Sequence, residues 1–497
     1  MHGFLTSSIG VTCAAALALP LTAAPTTATA ATGRAASAPA QAPASAYVPG
    51  STQSLPLTPL TGDRASTAPG TAQQGVPRQD TRHFSLVGVV WDDPATELHG
   101  RVQVRTRATA TGTWSAWQDL ETHNADHAAD PGTAESASGR VRGATAPLWV
   151  GESDGVEVRV RAGDEDGARD ATTYPLPTGM RLELVDPGEG TPPQPPTDAA
   201  DSGEGPRTTA VTTETAETAE TAETTESVEP VGAAAEALGS VESAEVFASV
   251  EGLDASAANA GLAPLGATEI PALSRIQTES ELLALGTLTE QQKAKPYIGP
   301  RPSITTRRGW GANEKLREKK FVYTKKVKAA FVHHSATGNN YRCSQAPSVI
   351  RSIYRYHVKS MGWRDIGYNF VVDKCGKIYE GRAGGVSKPV LGAHTMGFNS
   401  NSMGIAVLGT YGSKKPSSAA VKAVARLTAW KLGLYGMNPR GKTYLKSGGG
   451  NLYRKGKNVR LNVISGHRDG FATSCPGKQL YGKLGTARSS AAKYQGR

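Results

Sequence analysis

Residues 463–477, V-I-S-G-H-R-D-G-F-A-T-S-C-P-G, place His467 and Cys475 eight positions apart, directly after a short apolar run. Upstream, residues 331–337 (F-V-H-H-S-A-T) end another apolar run with a pair of histidines. Neutral imidazole and thiolate are good zinc donors, and a catalytic zinc site has three protein ligands with one position left open. The spacing suits such a site, but buried histidines are also common as structural residues. These residues alone therefore leave both interpretations open.

The surrounding sequence predicts alternating strands and helices. Apolar runs at residues 328–333, 366–373 and 403–410 predict strands, and helical spacing at 344–361 and 416–434 predicts two helices. This alternation indicates an α/β domain over residues 300–497, with a mixed central β-sheet flanked by helices.

Charge is strongly segregated along the 497 residues. Residues 301–497 contain 37 Lys+Arg and 6 Asp+Glu, whereas residues 1–300 contain 17 and 38. A basic domain favours an anionic partner, such as an anionic wall polymer, a membrane surface or nucleic acid. Nucleic acid is the least favoured partner because the basic residues are dispersed. A solvated surface that maintains solubility is the alternative.

The N-terminal segment has the pattern of an exported protein. Residues 4–25 are apolar and rich in Ala and Leu, and A-T-A at 28–30 resembles a cleavage site, so residues 1–30 are predicted to be a signal peptide. The usual Lys or Arg is missing at the front. No later apolar run approaches the roughly 20 residues of a membrane span. Residues 31–79, rich in Ala, Pro, Thr and Ser, are predicted to be disordered.

Two further regions separate this segment from the basic domain. Period-2 alternation in residues 80–187 predicts a small all-β domain resembling a β-sandwich, whose role the sequence does not specify. Trp114 and Trp117 could line a sugar-binding face there, with ordinary core or sheet-edge packing as the alternative. Residues 188–299 are acidic and include Thr-Ala-Glu triplets, so we expect a disordered linker, with a short helix at the apolar L-L-A-L of 282–285 as a local alternative.

Six motifs in the C-terminal region resemble, in order, those of peptidoglycan recognition proteins and type-2 N-acetylmuramoyl-L-alanine amidases. They are R-R-G-W-G-A (307–312), F-V-H-H-S-A-T (331–337), G-W-R-D-I-G-Y-N-F-V-V-D (362–373), I-Y-E-G-R (378–382), N-S-M-G-I-A-V-L-G (401–409) and the G-H-R-D…T-S-C-P-G of 466–477. The resemblance covers roughly residues 300–485 and leaves the first 290 residues outside it.

The resemblance implies specific roles. His333, His467 and Cys475 match the ligands of one catalytic Zn²⁺, and Tyr368 matches a catalytic tyrosine. Thr473 stands where phage enzymes have lysine, so it is expected to assist polarisation and leaves the general acid unassigned. Other positions are implied as substrate contacts, with a structural role as the alternative for the two histidines: His334, Trp363, Arg382 and His394.

Cysteine use agrees with this assignment. Cys13 lies in the predicted signal peptide, and Cys343 and Cys375 are expected to pair as a disulfide, which leaves Cys475 for the metal. Two unlinked thiols are the alternative.

The export signal and this resemblance together imply a secreted or wall-associated zinc amidase that hydrolyses the lactyl amide between N-acetylmuramic acid and L-alanine in bacterial peptidoglycan. The first alternative is a recognition protein that binds peptidoglycan without cutting it. The others are a cysteine peptidase using Cys475 and His467, and a structural zinc site.

Overall fold

The computed structural model describes residues 49–60, 73–163, 174–189 and 255–497. The predicted signal peptide lies outside the described residues, as does most of the acidic stretch. Within them, no helix is both long and apolar enough to cross a membrane.

An all-β domain comes first, as predicted. Its strands are β1 (Pro49–Pro56), β2 (Thr58–Pro59), β3 (Gln73–Trp91), β4 (Gly100–Ala108), β5 (Gln118–Leu120), β6 (Gly143–Ala144), β7 (Leu148–Ala162) and β8 (Arg181–Gly188). They form one antiparallel sheet in the order β1-β8-β3-β7-β4-β5, with β2 and β6 also paired to β3. Hydrogen bonding connects all eight strands, because β3 is long enough to pair with four neighbours.

The boundary at residue 80 was wrong. Strand β1 pairs with β8 from Pro49 to Pro56, and β3 already begins at Gln73, so part of the stretch predicted to be disordered is ordered sheet. An edge strand is held mainly by backbone hydrogen bonds, which need no apolar pattern. The composition of residues 31–79 therefore did not reveal it.

Trp114 and Trp117, the two tryptophans considered for a sugar-binding face, are half-buried and stack against arginines. The Arg78 guanidinium lies 4.1 Å from the Trp114 ring centroid, and the Arg159 guanidinium lies 4.1 Å from that of Trp117. Cation–π packing on the sheet therefore accounts for both rings.

The α/β domain follows. Its strands are β9 (Glu269–Ile270), β10 (Ile304–Thr305), β11 (Ala329–His334), β12 (Phe370–Val372), β13 (Ile378–Glu380), β14 (Ser402–Val407), β15 (Lys442–Lys446), β16 (Asn458–Asn462) and β17 (Ile464–Gly466). The helices are α1 (Arg275–Ala284), α2 (Glu290–Ala294), α3 (Ala346–Arg355), α4 (Ser418–Gly433), α5 (Lys478–Tyr481) and α6 (Leu484–Tyr494), with short 3₁₀ or π turns at Cys343–Gln345, Tyr356–Ser360 and His467–Asp469.

Seven of these strands form a mixed sheet in the order β17-β11-β14-β12-β13-β10-β9, and β15 pairs with β16. Side chains alternate across it: Phe370 and Ile405 face the core under α4 and α6, whereas Val371 and Ala406 face the core under α3. The predicted α/β class, with a mixed sheet between helices, is confirmed.

The linker prediction was wrong for residues 255–299. Strand β9 extends the mixed sheet, and Ile270, Leu282 and Ile298 enter its core. Ser274 caps α1 by accepting a hydrogen bond from the Gln277 amide, and the Gln277 side chain accepts one from the Ser274 amide. The acidic composition upstream masked these weaker structural signals.

The two domains share a core. Leu86, Trp149 and Val185 of the β-sheet pack in one cluster with Ile350 and Ile353 of α3. The Tyr356 hydroxyl, just after α3, donates to the Thr145 carbonyl at 3.1 Å. The β domain therefore lies on the α3 side of the mixed sheet.

Candidate metal centre

Parallel pairing brings the two predicted histidine ligands together. Strands β11 and β17 are parallel, with Val332 opposite Gly466, so the residues that follow this pair reach the same edge of the sheet. Those residues are His333 and His467, and their Nδ1 atoms lie 3.1 Å apart. Both side chains are fully buried. The carboxyl ends of parallel strands are where α/β folds place ligand sites.

Cys475 joins them through the loop after the His467–Asp469 turn. Its Sγ lies 3.8 Å from His333 Nδ1. The Cys475 amide donates to Thr473 Oγ1 at 3.1 Å, and its carbonyl accepts from the Arg468 amide at 3.1 Å. Thr473 therefore orients the backbone that carries the thiol.

A fourth donor, His127, comes from the β domain. Its Nε2 lies 3.3 Å from His333 Nδ1 and 3.6 Å from Cys475 Sγ. The candidate ligand atoms of these three residues and His467 all lie within 4.8 Å of one another, and all four residues are buried.

The donor set fits zinc. Bond lengths of about 2.0–2.1 Å to nitrogen and 2.3 Å to sulfur in a tetrahedron imply N···N and N···S separations of about 3.3 and 3.6 Å. The three pairwise distances among His127 Nε2, His333 Nδ1 and Cys475 Sγ are 3.3 Å for N···N and 3.6 and 3.8 Å for N···S, close to these values. Burial lowers the pKa of His467 to about 3 and that of His333 well below 6.5, so both imidazoles are neutral and have a free lone pair.

Asp126 supports the histidine beside it. Its Oδ1 lies 3.0 Å from His127 Nδ1, which leaves Nε2 of that ring facing the cluster. Burial alone would raise the pKa of Asp126, but His127 and His467 outweigh burial and hold the pKa below its ordinary value. A carboxylate behind a metal-facing imidazole fixes the ring and increases its basicity.

The predicted catalytic tyrosine borders the cluster. The Tyr368 ring centroid lies 5.6 Å from that of His333 and 5.9 Å from that of His127. Burial, followed by the nearby Cys475 and Asp126, raises the pKa of Tyr368 well above 10. Its hydroxyl therefore remains a hydrogen-bond donor.

His394 and His334 lie outside the donor set. His394 is fully buried behind His333, with Nδ1 3.0 Å from Thr395 Oγ1, and it packs over Gly404, where an added Cβ would lie 2.3 Å from its ring. Thr395 Oγ1 is also 3.4 Å from His333 Nε2. His334 Nδ1 accepts from the Tyr411 amide at 3.4 Å, and burial lowers its pKa to about 4. Both placements suit structural roles.

The other two predicted substrate contacts are covered. Trp363 is buried and stacks on His357 at 4.4 Å between ring centroids. Arg382 is 8% exposed and forms a two-pronged ion pair with Glu135, in which both N···O distances are 2.8 Å. In this conformation neither side chain is open to a ligand.

Cys343 and Cys375 are joined by a disulfide with a Cα–Cα distance of 6.2 Å. Among the described residues, Cys475 is the free cysteine.

Sequence reasoning missed His127, Asp126 and Glu135. The available signal was H-N-A-D-H at 123–127, inside a run without strand or helix periodicity. A histidine in a separate domain carries no spacing relation to the motif at 463–477, so only the fold brings them together.

Two family models match the chain. Residues 323–478 match a model described as N-acetylmuramoyl-L-alanine amidase. Residues 37–196 match one described as Rv3811 N-terminal galactose-binding domain-like.

Individual proteins agree with the first match. Peptidoglycan-recognition protein SC2 of Drosophila simulans is 31% identical over 159 residues, which cover 32% of this chain and 72% of that protein. The chain belongs to the peptidoglycan-recognition protein and type-2 amidase family. The human N-acetylmuramoyl-L-alanine amidase is 32% identical over 214 residues, covering 42% of this chain and 32% of that protein. The solved structure of Drosophila PGRP-LB aligns over 37% of this chain and 92% of that one, at 25% identity and a TM-score of 0.29.

The residues matched by the amidase model contain three of the four candidate donors. His333, His467, Cys475 and Tyr368 lie inside residues 323–478, whereas His127 lies in the region matched by the other model. The fourth donor is therefore a feature of the two-domain chain.

Proposed function

We propose that this protein is a secreted, zinc-dependent N-acetylmuramoyl-L-alanine amidase that cleaves the lactyl amide of bacterial peptidoglycan. The observation that carries the proposal is the convergence of His333, His467 and Cys475 at one edge of the mixed sheet, inside the region that matches the amidase model. Family membership supports peptidoglycan as the ligand. A disulfide between Cys343 and Cys375 supports export, because such bonds persist in oxidising compartments.

His333, His467 and Cys475 are the residues that would hold the metal. When bound, zinc supplies Lewis-acid polarisation of the scissile carbonyl and lowers the pKa of water. Thr395 contacts the outer nitrogen of His333, and Thr473 holds the Cys475 backbone. These contacts fix the donors before a ligand arrives, which is the preorganisation that catalysis requires.

Tyr368 would stabilise the charge that develops on the carbonyl oxygen. Its raised pKa keeps the phenol protonated, so it donates a hydrogen bond to an oxyanion instead of repelling it. The buried surroundings strengthen that hydrogen bond by excluding water.

A cysteine peptidase is disfavoured by the environment of Cys475. The residue is 2% exposed, and burial raises the pKa of its thiol well above 9. Nucleophilic cysteines instead have a lowered thiol pKa and an accessible sulfur.

Non-catalytic recognition is the second candidate, and one observation favours it. His127 completes a four-donor set, and structural zinc sites are closed by four protein ligands. A permanently closed site would bind peptidoglycan fragments elsewhere, or not at all, and would not hydrolyse them.

Metal content and turnover distinguish these candidates. We expect about one zinc per chain in the wild type and in His127→Ala, and a much lower content in His127→Ala/Cys475→Ala, which keeps only two of the four donors. The metal-loaded wild type and His127→Ala, whose fourth position is open, should be incubated with purified peptidoglycan, and new L-alanine amino termini counted. New termini from either chain support the amidase if they disappear when the Cys475→Ala substitution is introduced into the same chain. No new termini from both metal-loaded chains favour recognition.

A further inference from the structure

Residues 121–142 form an unusually long connection within the β domain. They join β5 to β6 without strand or helix, although these two short strands belong to one sheet. Connections longer than about 12–15 residues without secondary structure are uncommon in compact domains and often act as lids or binding loops. We call residues 121–142 the strap segment.

The strap segment is hydrogen-bonded to the α/β domain beside the metal centre. Asp130 Oδ1 accepts from the Gly397 amide at 2.8 Å and from Asn399 Nδ2 at 2.6 Å. The Asp126 carbonyl accepts from the Met396 amide at 3.0 Å. These bonds run along residues 396–399, the turn that follows His394 and Thr395.

Glu135 anchors the middle of the strap segment. Its carboxylate pairs with both terminal nitrogens of Arg382 and accepts from the Arg364 amide at 3.2 Å. Glu135 is 5% exposed. Burial alone would lower the pKa of Arg382, but the adjacent Glu135 carboxylate outweighs burial and raises that pKa above its ordinary value. A buried, two-pronged ion pair of this kind orients both partners.

His127 carries the strap segment into the metal centre itself. Its Nε2 stands at the fourth corner of the donor set, between His333 and Cys475. A zinc ion bound by all four side chains would have no position for water or for a substrate carbonyl. Asp126, hydrogen-bonded to the other ring nitrogen, holds His127 in that orientation.

We propose that the strap segment is an intramolecular inhibitor, with His127 as the removable fourth ligand of the catalytic metal. The chain is then latent until the strap segment leaves the α/β domain. This inference rests on the proposed amidase function for its consequence, but ligation by His127 can be tested without catalysis.

Cobalt substitution provides that test. Co²⁺ replaces zinc in the full chain, and its visible absorption is followed as azide, a small anionic ligand, is added. We expect no spectral change in the wild type, because no position is open, and a saturable change in His127→Ala. His123→Ala is the matched control, since His123 lies in the same segment with 57% of its side chain exposed. It should behave as the wild type.

Glu135→Gln is the second variant, because it retains all four donors and removes the charge that pairs the strap segment with Arg382. We expect it to respond to azide more than the wild type and less than His127→Ala. An azide response in the wild type equal to that of His127→Ala, or no response in either variant, would overturn the proposal.

Turnover separates this inference from the proposed function. If the open form is a minor state of about 1–10%, His127→Ala should release L-alanine termini about tenfold to a hundredfold faster than the wild type. Azide binding by His127→Ala without new termini from any chain would support closure by His127 and contradict the amidase function. Equal turnover by both chains would contradict inhibition.

Discussion

Tyr368 and Thr473 border the donor set but differ in what they can contribute. Tyr368 presents a phenol with a raised pKa beside His333 and His127. Thr473 already accepts a hydrogen bond from the Cys475 amide. At the scale of single residues, Tyr368 is therefore the candidate for contact with the reacting atoms, and Thr473 is the candidate for positioning Cys475.

Replacing Tyr368 with phenylalanine removes one hydrogen-bond donor and leaves the ring in place. We expect kcat to fall about 10²- to 10³-fold, as for loss of an oxyanion-hole donor, with zinc content unchanged. Initial rates of L-alanine terminus release, measured in the His127→Ala background, check this. Tyr444→Phe is the control because Tyr444 is 58% exposed. Loss of zinc from Tyr368→Phe would instead indicate a structural role.

At the scale of elements, strand β13 ends in a buried carboxyl group. Glu380 Oε1 accepts from Asn259 Nδ2 at 2.9 Å, and Oε2 accepts from the Arg307 amide at 3.2 Å. Burial raises the pKa of Glu380 from 4.5 to about 7 despite these bonds. The segment at 255–299 supplies Asn259, so its contact with the sheet depends on the protonation state of the Glu380 carboxyl group.

This raised pKa predicts a pH-dependent stability. Below pH 4.5 the Glu380 carboxyl group is protonated in both the folded and the unfolded state. Between about pH 4.5 and 7 it ionises only in the unfolded state, so the free energy of unfolding falls as the pH rises. The shift corresponds to about 3 kcal/mol, fully lost above pH 7. Urea unfolding of Glu380→Gln at pH 5 and pH 8 should show a smaller difference than the wild type. Glu290→Gln is the control, because the Glu290 side chain is 87% exposed, and it should retain the wild-type difference in unfolding free energy between the two pH values.

At the scale of the whole molecule, the shared core predicts that the two domains unfold together. An added Cβ at Gly88 would lie 2.3 Å from the Tyr356 hydroxyl oxygen, where β3 meets the turn after α3. Gly88→Ala should therefore lower the free energy of unfolding by about 1–3 kcal/mol through overpacking. Far-UV circular dichroism and tryptophan fluorescence should still give one coincident transition.

The control for this variant is Gly412→Ala, since no atom lies within 4 Å of an added Cβ there. Two separated transitions in the wild type, or equal stability of Gly88→Ala and the wild type, would contradict a shared core.

Features held by interactions between residues close in sequence could be predicted from the sequence, whereas features held by distant residues could not. Strand β11, the candidate ligand His333 near its end and the motif around Cys475 are local patterns, and the sequence was sufficient to place them in one domain. Strand β1 and the segment at 255–299 were missed because backbone pairing and a few buried side chains hold them. His127 was missed for a different reason, since its partners lie more than 200 residues away.

The identity of the bond that is cut distinguishes an amidase from the other candidate functions. Purified peptidoglycan should be digested with the zinc-loaded His127→Ala chain and the soluble products identified by mass. We expect stem peptides with a free L-alanine amino terminus and glycan carrying intact lactyl groups, and neither product from the His127→Ala/Cys475→Ala chain. Intact muropeptides, or cleavage within the peptide or the glycan, would rule out the amidase function.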